Sequence, residues 1–218
     1  DQKGARFRYL FSRLRETACA IVENIADEMA VSDFRPIAFE LGFGGKDGQL
    51  PAITVTEGST ALSVRGKVDR VDGWIKDGKL YLRGVDYKTG QKAFDLSDVR
   101  YGLGIQMLLY LFALQKEGSG YFGMPVVPAG VLYTPAREII SREDRSIPPE
   151  KLEAVLRRKL RRTGMLLSEP EVLRAMEHSA LEKPCYLPIG KVTDGQPAAL
   201  LPNLLVDTAE MGRMARYI

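Results

Sequence analysis

The chain has 218 residues, 45% of them hydrophobic and 27% charged, with a formal net charge of +3. That is enough chain for one sizeable core or two small domains, with the composition of a globular protein and a charge too small to require nucleic acid. A single histidine, His178, and two widely separated cysteines, Cys19 and Cys185, exclude a zinc site built from this chain alone and a disulfide framework. They fit a reducing, cytoplasmic setting. No secretory signal and no apolar run of membrane-spanning length is present. The chain starts at Asp1 without an initiator Met and stops at Ile218 in a helical pattern, as expected of a piece excised from something larger.

Residues 7 to 30 place Phe7, Leu10, Phe11, Leu14, Ala18, Ile21, Val22, Ile25 and Met29 at spacings of three and four, which predicts one amphipathic helix. Phe34 to Phe43 reads as a strand opened by Pro36. After a turn through Gly44-Gly45 and Asp47-Gly48, Ala52 to Thr56 reads as its partner strand. Glu40, among apolar neighbours, either faces solvent in a salt bridge or approaches the site described next.

The most informative stretch is Gly66 to Gly90, GKVDRVDGWIKDGKLYLRGVDYKTG, whose two halves alternate apolar and polar residues. Between them Asp77-Gly78 marks a two-residue hairpin turn, which needs positive φ at its centre. Lys76 then faces Lys79, every cross-strand pair sums to 155, and Asp69 falls opposite Asp86. Carboxylates about 5 Å apart repel by about 3 kcal/mol at an effective dielectric of about 20. A divalent cation between them reverses that sign. Lys88 lies two residues beyond Asp86 on the same face, and Tyr87 on the other. Two carboxylates and an ammonium suit Mg²⁺, which binds through one or two carboxylates and leaves positions for water and phosphate. The lysine would stabilise an attacking hydroxide or the charge growing on phosphorus. The bland alternative is an ordinary polar hairpin whose acids are solvated or paired with Lys67 and Arg70. The same register sets Asp72 against Arg83 on the reverse face as a structural ion pair, and places Val71, Ile75, Leu80 and Leu82 in the core.

Farther on, Asp95 and Ser97 are candidate helix caps, and Leu103 to Leu114 predicts a buried helix. Gln106 and Tyr110 interrupt it, four apart on one face. As buried polar groups they need partners: neighbouring backbone, or Lys88, bound water or a DNA phosphate. Val126 to Tyr133 reads as a buried strand and Pro149 to Thr163 as a helix with Leu152, Val155, Leu156 and Leu160 inward. Arg157, Arg158, Lys159, Arg161 and Arg162 crowd its second half, either as a solvated last turn favoured by the helix dipole or as phosphate contacts. Glu169 to Ala180 predicts a helix, Tyr186 to Val192 a late strand, and Asn203 to Ile218 a final amphipathic helix. No phosphate-binding loop of the NTPase type occurs.

Gly66-Lys67-Val68-Asp69, Val85-Asp86-Tyr87-Lys88 and Gln106-x-x-x-Tyr110 resemble, in order, the GxxD, (V/I)DYK and QxxxY elements of RecB-like nucleases in the PD-(D/E)XK superfamily. DYKTGQKAFDLSDVRYGLGIQMLLYL and PIAFELGFG are similar to the nuclease domain of the AddB-type subunit of bacterial ATP-dependent helicase–nucleases. The likeness is strongest from Pro36 to Tyr133. It implies an α/β, restriction-endonuclease-like mixed sheet with a central β-hairpin and flanking helices, in one nuclease domain over residues 1–218 with its core at about 34–134. It implies Mg²⁺, or Mn²⁺ in its place, on Asp69, Asp86 and the Tyr87 backbone carbonyl. Lys88 would assist the attacking water, and Gln106 and Tyr110 would line the site. Arg157, Arg158 and Arg161 are the candidate DNA contacts. DNA and an AddA-type helicase–nuclease subunit, joined as a heterodimer, are the implied partners, in the processing of double-strand ends for recombinational repair.

Two features depart from the family pattern. Its members usually carry a metal-shell histidine ahead of the first strand, and none precedes Asp69. Many AddB-type subunits hold an iron–sulfur cluster, but Cys19 and Cys185 do not have that spacing, so no cluster is expected on these residues. Two other readings remain open: a non-catalytic DNA-guiding or subunit-docking module of the same fold, and a stand-alone RecB-like exonuclease of CRISPR-associated or phage type.

Overall fold

In the computed structural model, residues 4–90, 95, 98, 99, 101, 104–136, 148, 155, 158–190 and 204–217 are described. Asp77 and Gly78 have φ of 48° and 71°, the conformation a two-residue hairpin turn requires. The strands on either side, β4 (Gly66–Lys76) and β5 (Lys79–Lys88), pair antiparallel from Lys76↔Lys79 to Arg70↔Val85. That is the register the turn predicts.

This hairpin is the centre of a six-stranded mixed sheet. On one side β1 (Arg35–Phe43) pairs antiparallel with β4. On the other, β6 (Val126–Pro135) runs parallel to β5. Beyond β6 lie β7 (Thr163–Leu167), antiparallel, and β8 (Leu205–Val206), parallel to β7. A parallel neighbour needs a crossover, which here includes the helix α2 (Gln106–Phe122). Its Met107 Cε lies 3.1 Å from where a Cβ on Gly84 would stand, so α2 covers the face that carries Leu80, Leu82, Gly84 and Asp86. The reverse face receives the C-terminal part of α1 (Ala5–Ala30), through Glu28, and α3 (Pro170–Met176), whose Glu171 pairs with Lys76. α3 also meets the corner between α1 and β1, where Ser32 Oγ and the Asp33 amide both donate to the Ala175 carbonyl. A final helix, α4 (Thr208–Tyr217), follows β8.

The mixed sheet flanked by helices is the architecture expected, but several local expectations are corrected. Ala52–Thr56 is not the partner of β1. The strand there, β2 (Ile53–Glu57), pairs with β3 (Thr60–Val64) in a separate two-stranded sheet. The ends of a chain joined by the two-residue turn at Gly58 meet at once, whereas β1 is already paired with β4. Val71, Leu80 and Leu82 are buried as expected, but Ile75 is 61% exposed, past the Arg35↔Gly73 pair at which β1 stops flanking β4.

The helix over residues 7–30 forms, yet Phe7, Leu10, Phe11, Leu14 and Val22 are exposed. Its most buried residue is Glu28. Periodicity locates an apolar stripe without showing which part of it meets the core. Most of the predicted Pro149–Thr163 helix, Leu152 and Leu156 included, lies outside the described residues, as do Ser97 and Leu103. Thr163 itself opens strand β7. Tyr186–Val192 is not a strand among its described residues, which are bends with a single bridge at Ile189. The last helix starts at Thr208, after β8.

Candidate active site

Past Arg70↔Val85 the two central strands part company. Gly66, Lys67 and Val68 of β4 pair with Phe43, Gly42 and Leu41 of β1, while Asp86, Tyr87 and Lys88 of β5 pair with Tyr133, Thr134 and Pro135 of β6. Asp69 and Asp86 therefore sit where the sheet forks. Alternation also breaks here. Val68 Cγ1 and Met107 Cε both lie within 4 Å of the Cβ position of Gly84, so Val68 shares the α2 face, whereas Arg70 bonds Asp72 and Tyr87 on the reverse face. Strict alternation would put Val68 and Arg70 together, so the odd step falls at Asp69. In the neighbouring strand Glu40 takes φ of +49°. Direct ladder opposition of Asp69 and Asp86 is thus replaced by a local irregularity of the kind a β-bulge makes, which re-aims a side chain. Asp69 Oδ2 accepts the Tyr87 amide N–H at 2.9 Å, which ties the first acid to the backbone between Asp86 and Lys88.

The second acid is largely buried. Asp86 is 17% exposed, and its Oδ2 lies 2.6 Å from Lys88 Nζ. The Lys88 ammonium is the charged partner of this oxygen, and no other described residue donates to it. Lys88 Nζ also stands 5.7 Å from the centroid of the Tyr133 ring, close enough for a cation–π attraction. Burial, reinforced by the Asp86 charge, pushes the Tyr133 phenol up to about 12. Tyr133 is a neighbour of the site that sequence reading missed. Only the parallel β5–β6 register places it beside Asp86, and nothing local signals that register. Neither acid takes the partners expected of a purely structural pairing: Lys67 pairs with Glu40 at 3.7 Å on the surface and Arg70 pairs with Asp72. Glu40 is accordingly a solvent-facing, salt-bridged residue.

Gln106 and Tyr110 stand one turn apart at the start of α2, and Gln106 Nε2 donates to Tyr110 Oη at 2.9 Å. The Tyr110 ring stacks on Phe43 at 5.2 Å. Its hydroxyl occupies the space beside Gly66, where a Cβ would come within 1.8 Å of Oη. The glycine three residues before Asp69 is thus required by the tyrosine on α2, which docks that helix against the acid's own strand. Gly66→Ala is expected to destabilise the fold by about 1–3 kcal/mol through overpacking. Adding Tyr110→Phe should recover part of that loss, read by urea unfolding of the two single variants and the double.

The reverse face holds a chain of buried ion pairs. Arg70 Nη2 donates to Asp72 Oδ2 at 3.0 Å, Arg83 Nε to the same oxygen at 2.9 Å, and Arg83 Nη2 to Glu28 Oε1 at 3.1 Å. Arg162 donates to Glu28 Oε2 from Nε at 3.1 Å and Nη2 at 2.6 Å, and to Asn24 Oδ1 at 2.6 Å. Asp72 is the structural partner of Arg83 that the hairpin register predicts. Burial pushes the Glu28 carboxyl up, but Arg83, Arg162 and Arg70 outweigh it and hold it below its ordinary value. Of the basic candidates, Arg157 lies outside the described residues and Arg158 is exposed. Arg161 donates to the Ile189 carbonyl at 3.1 Å and to that of Pro184, so its guanidinium is turned into its own chain. His178 is exposed and bonds Asp33 at 2.9 Å, away from these acids.

Among the described residues no third His, Cys, Asp or Glu groups with others as a metal cluster. Asp69 and Asp86, both brought to the fork, still offer oxygen donors of the kind that suit a hard cation keeping its other positions for water and phosphate. The order of these parts along the fold is that of one nuclease class, and the chain belongs to the PD-(D/E)XK nuclease superfamily, whose family model matches residues 1–186. Within it, the chain is 34% identical over 212 residues to the B subunit of the ATP-dependent helicase/deoxyribonuclease of Acetivibrio thermocellus, an alignment covering 97% of this chain and 18% of that protein. The same-named proteins of Caldanaerobacter subterraneus subsp. tengcongensis and Symbiobacterium thermophilum are 35% and 32% identical, over 81% and 80% of this chain and 15% of each relative. The chain thus spans less than a fifth of the length of these relatives.

Proposed function

We propose that this chain is a nuclease domain, residues 1–218 with its core at about 34–134, that hydrolyses DNA phosphodiester bonds with Mg²⁺. In this reading it works within the AddB-type subunit of a cytoplasmic helicase–nuclease, beside an AddA-type partner, on double-strand ends destined for recombinational repair. The observation that carries the reading is the buried Asp86 carboxylate held 2.6 Å from Lys88 Nζ at the fork where Asp69 is tied to the Tyr87 amide.

Asp69, Asp86 and the Tyr87 carbonyl would hold the cation, which would supply Lewis-acid polarisation of the scissile phosphate. Lys88, 38% exposed on its side chain, leaves Asp86 for the attacking water or for the charge growing on the phosphate oxygens. Gln106, exposed at the start of α2, contacts DNA, while Tyr110, 3% exposed, accepts its amide N–H and anchors it beside β4. Arg158 meets a backbone phosphate from its exposed position.

Calorimetric titration of the 218-residue chain with Mn²⁺ or Mg²⁺ is expected to show binding that is absent in Asp86→Ala. DNA cleavage by the full complex should stop on chelation and return with added Mg²⁺. Binding unchanged in Asp86→Ala, or cleavage that persists in chelator, would sink the metal-dependent reading. A chain that binds no metal and does not cut favours the DNA-guiding or subunit-docking module.

A further inference from the structure

Tyr87 lies between the two residues of β5 that carry the proposed chemistry, and Arg70 directly follows the acid on β4. Their side chains meet on the reverse face, where Arg70 Nη1 donates to Tyr87 Oη at 2.7 Å. The paired register ends at Arg70↔Val85, and beyond it each strand follows a different neighbour. Two hydrogen bonds cross the fork at this level: the Tyr87 amide to Asp69 and the Arg70 guanidinium to the Tyr87 hydroxyl.

Arg70 is 1% exposed. Its other nitrogens are committed to Asp72, with Nε 2.8 Å from Oδ1 and Nη2 3.0 Å from Oδ2. A planar guanidinium held on two of its nitrogens presents the third in one direction. Asp72 is in turn held by Arg83, and Arg83 by Glu28 of α1. The Tyr87 hydroxyl is therefore fixed by a chain of bonds anchored in the core. Asp69 and Asp86 carry like charges, which repel, and such an anchor would set their interval before a cation arrives.

We infer that Arg70 is a positioning residue: by holding the Tyr87 hydroxyl on the reverse face it sets where the Asp86–Tyr87–Lys88 segment stands relative to Asp69. The inference rests on the proposed metal-dependent reading for its consequence in catalysis, though not for its geometry. Groups that orient metal ligands from behind typically change metal affinity or activity by about 10-fold to 100-fold when removed.

The test is Tyr87→Phe, which deletes one hydroxyl and keeps the ring. In the 218-residue chain, hydrogen exchange at the residue 87 amide should speed up by about 10-fold, because its bond to Asp69 is no longer held in place. Mn²⁺ affinity by calorimetry should fall by about 10-fold or more. In the full complex kcat for cleavage should drop with KM for DNA unchanged. Leu173→Ala, a core truncation in α3 outside this chain of ion pairs, should lower stability and leave Mn²⁺ affinity near that of the parent. Unchanged exchange and unchanged affinity in Tyr87→Phe overturn the inference. So does an equal loss of affinity in Leu173→Ala, which would make the effect one of stability. If the parent chain binds no Mn²⁺, the functional reading fails instead, and the exchange arm still decides the positioning role.

Discussion

Asp86→Ala in the full helicase–nuclease should lower DNA cleavage by about 10³-fold or more while unwinding proceeds. Its carboxylate is largely buried and in contact with Lys88, the proposed charge donor, at 2.6 Å. Removing it takes away a proposed metal ligand, and the charge stabilisation a divalent ion gives a phosphoryl transition state amounts to several kcal/mol. Lys88→Ala should act in the same direction but less, about 10²–10³-fold, the usual effect of deleting one preorganised charge donor. The two losses should not add when the changes are combined, because both groups serve one arrangement. Single-turnover cleavage of an end-labelled duplex, run beside a strand-separation assay, reads both quantities. Cleavage retained in both variants would assign the chemistry elsewhere.

The second large effect concerns stability. Glu28→Gln is expected to destabilise the chain by about 3–5 kcal/mol, on the order of 10 °C in Tm, since removing one partner of a buried ion pair leaves its counter-charges uncompensated. Glu28 is 1% exposed and accepts from two arginines, so its loss takes the carboxylate from Arg162 and leaves Arg83 with Asp72. The pH dependence carries a definite sign. Burial raises the Glu28 carboxyl, but the Arg83, Arg162 and Arg70 charges outweigh it and set it below its ordinary value. A carboxyl lowered in the folded state contributes stability that is fully present above its unfolded value of about 4.3 and is lost as pH falls through the folded value. The gap between parent and Glu28→Gln should therefore be full at pH 7 and narrow in acid below about pH 4. Urea unfolding at pH 7 and pH 3 measures it. A gap of the same size at both would place the stabilisation in packing.

The hairpin was legible because its signals are short-range. Asp77-Gly78 admits one economical turn, the turn sets the register, and the register puts Asp72 against Arg83 and brings Asp69 and Asp86 to the same end of the strands. Spacing of four likewise sets Gln106 against Tyr110 on one turn of helix. Expectations failed where a partner is distant in the chain. β2 is the exception, because its partner β3 follows across a two-residue turn at Gly58-Ser59, a short-range signal of the same kind as Asp77-Gly78. The apolar stripe of α1 shows no sign that the helix seats itself through Asn24 and Glu28. Arg162, read as one of five basic residues on a helix, is a buried partner of that same glutamate, 134 positions away.

What the amino-acid order settles here is chemistry and local geometry: two acids and a lysine delivered by one tight turn, with a glutamine and a tyrosine a helical turn apart. Those depend on neighbours within a few residues, where backbone sterics and side-chain period leave few choices. Where the sheet forks, which side of β4 Asp69 serves, that Gly66 makes room for the Tyr110 hydroxyl, and that Arg70 reaches Tyr87 from behind belong to the folded molecule. Each is set by packing between segments far apart in sequence, and no local periodicity encodes which surfaces meet.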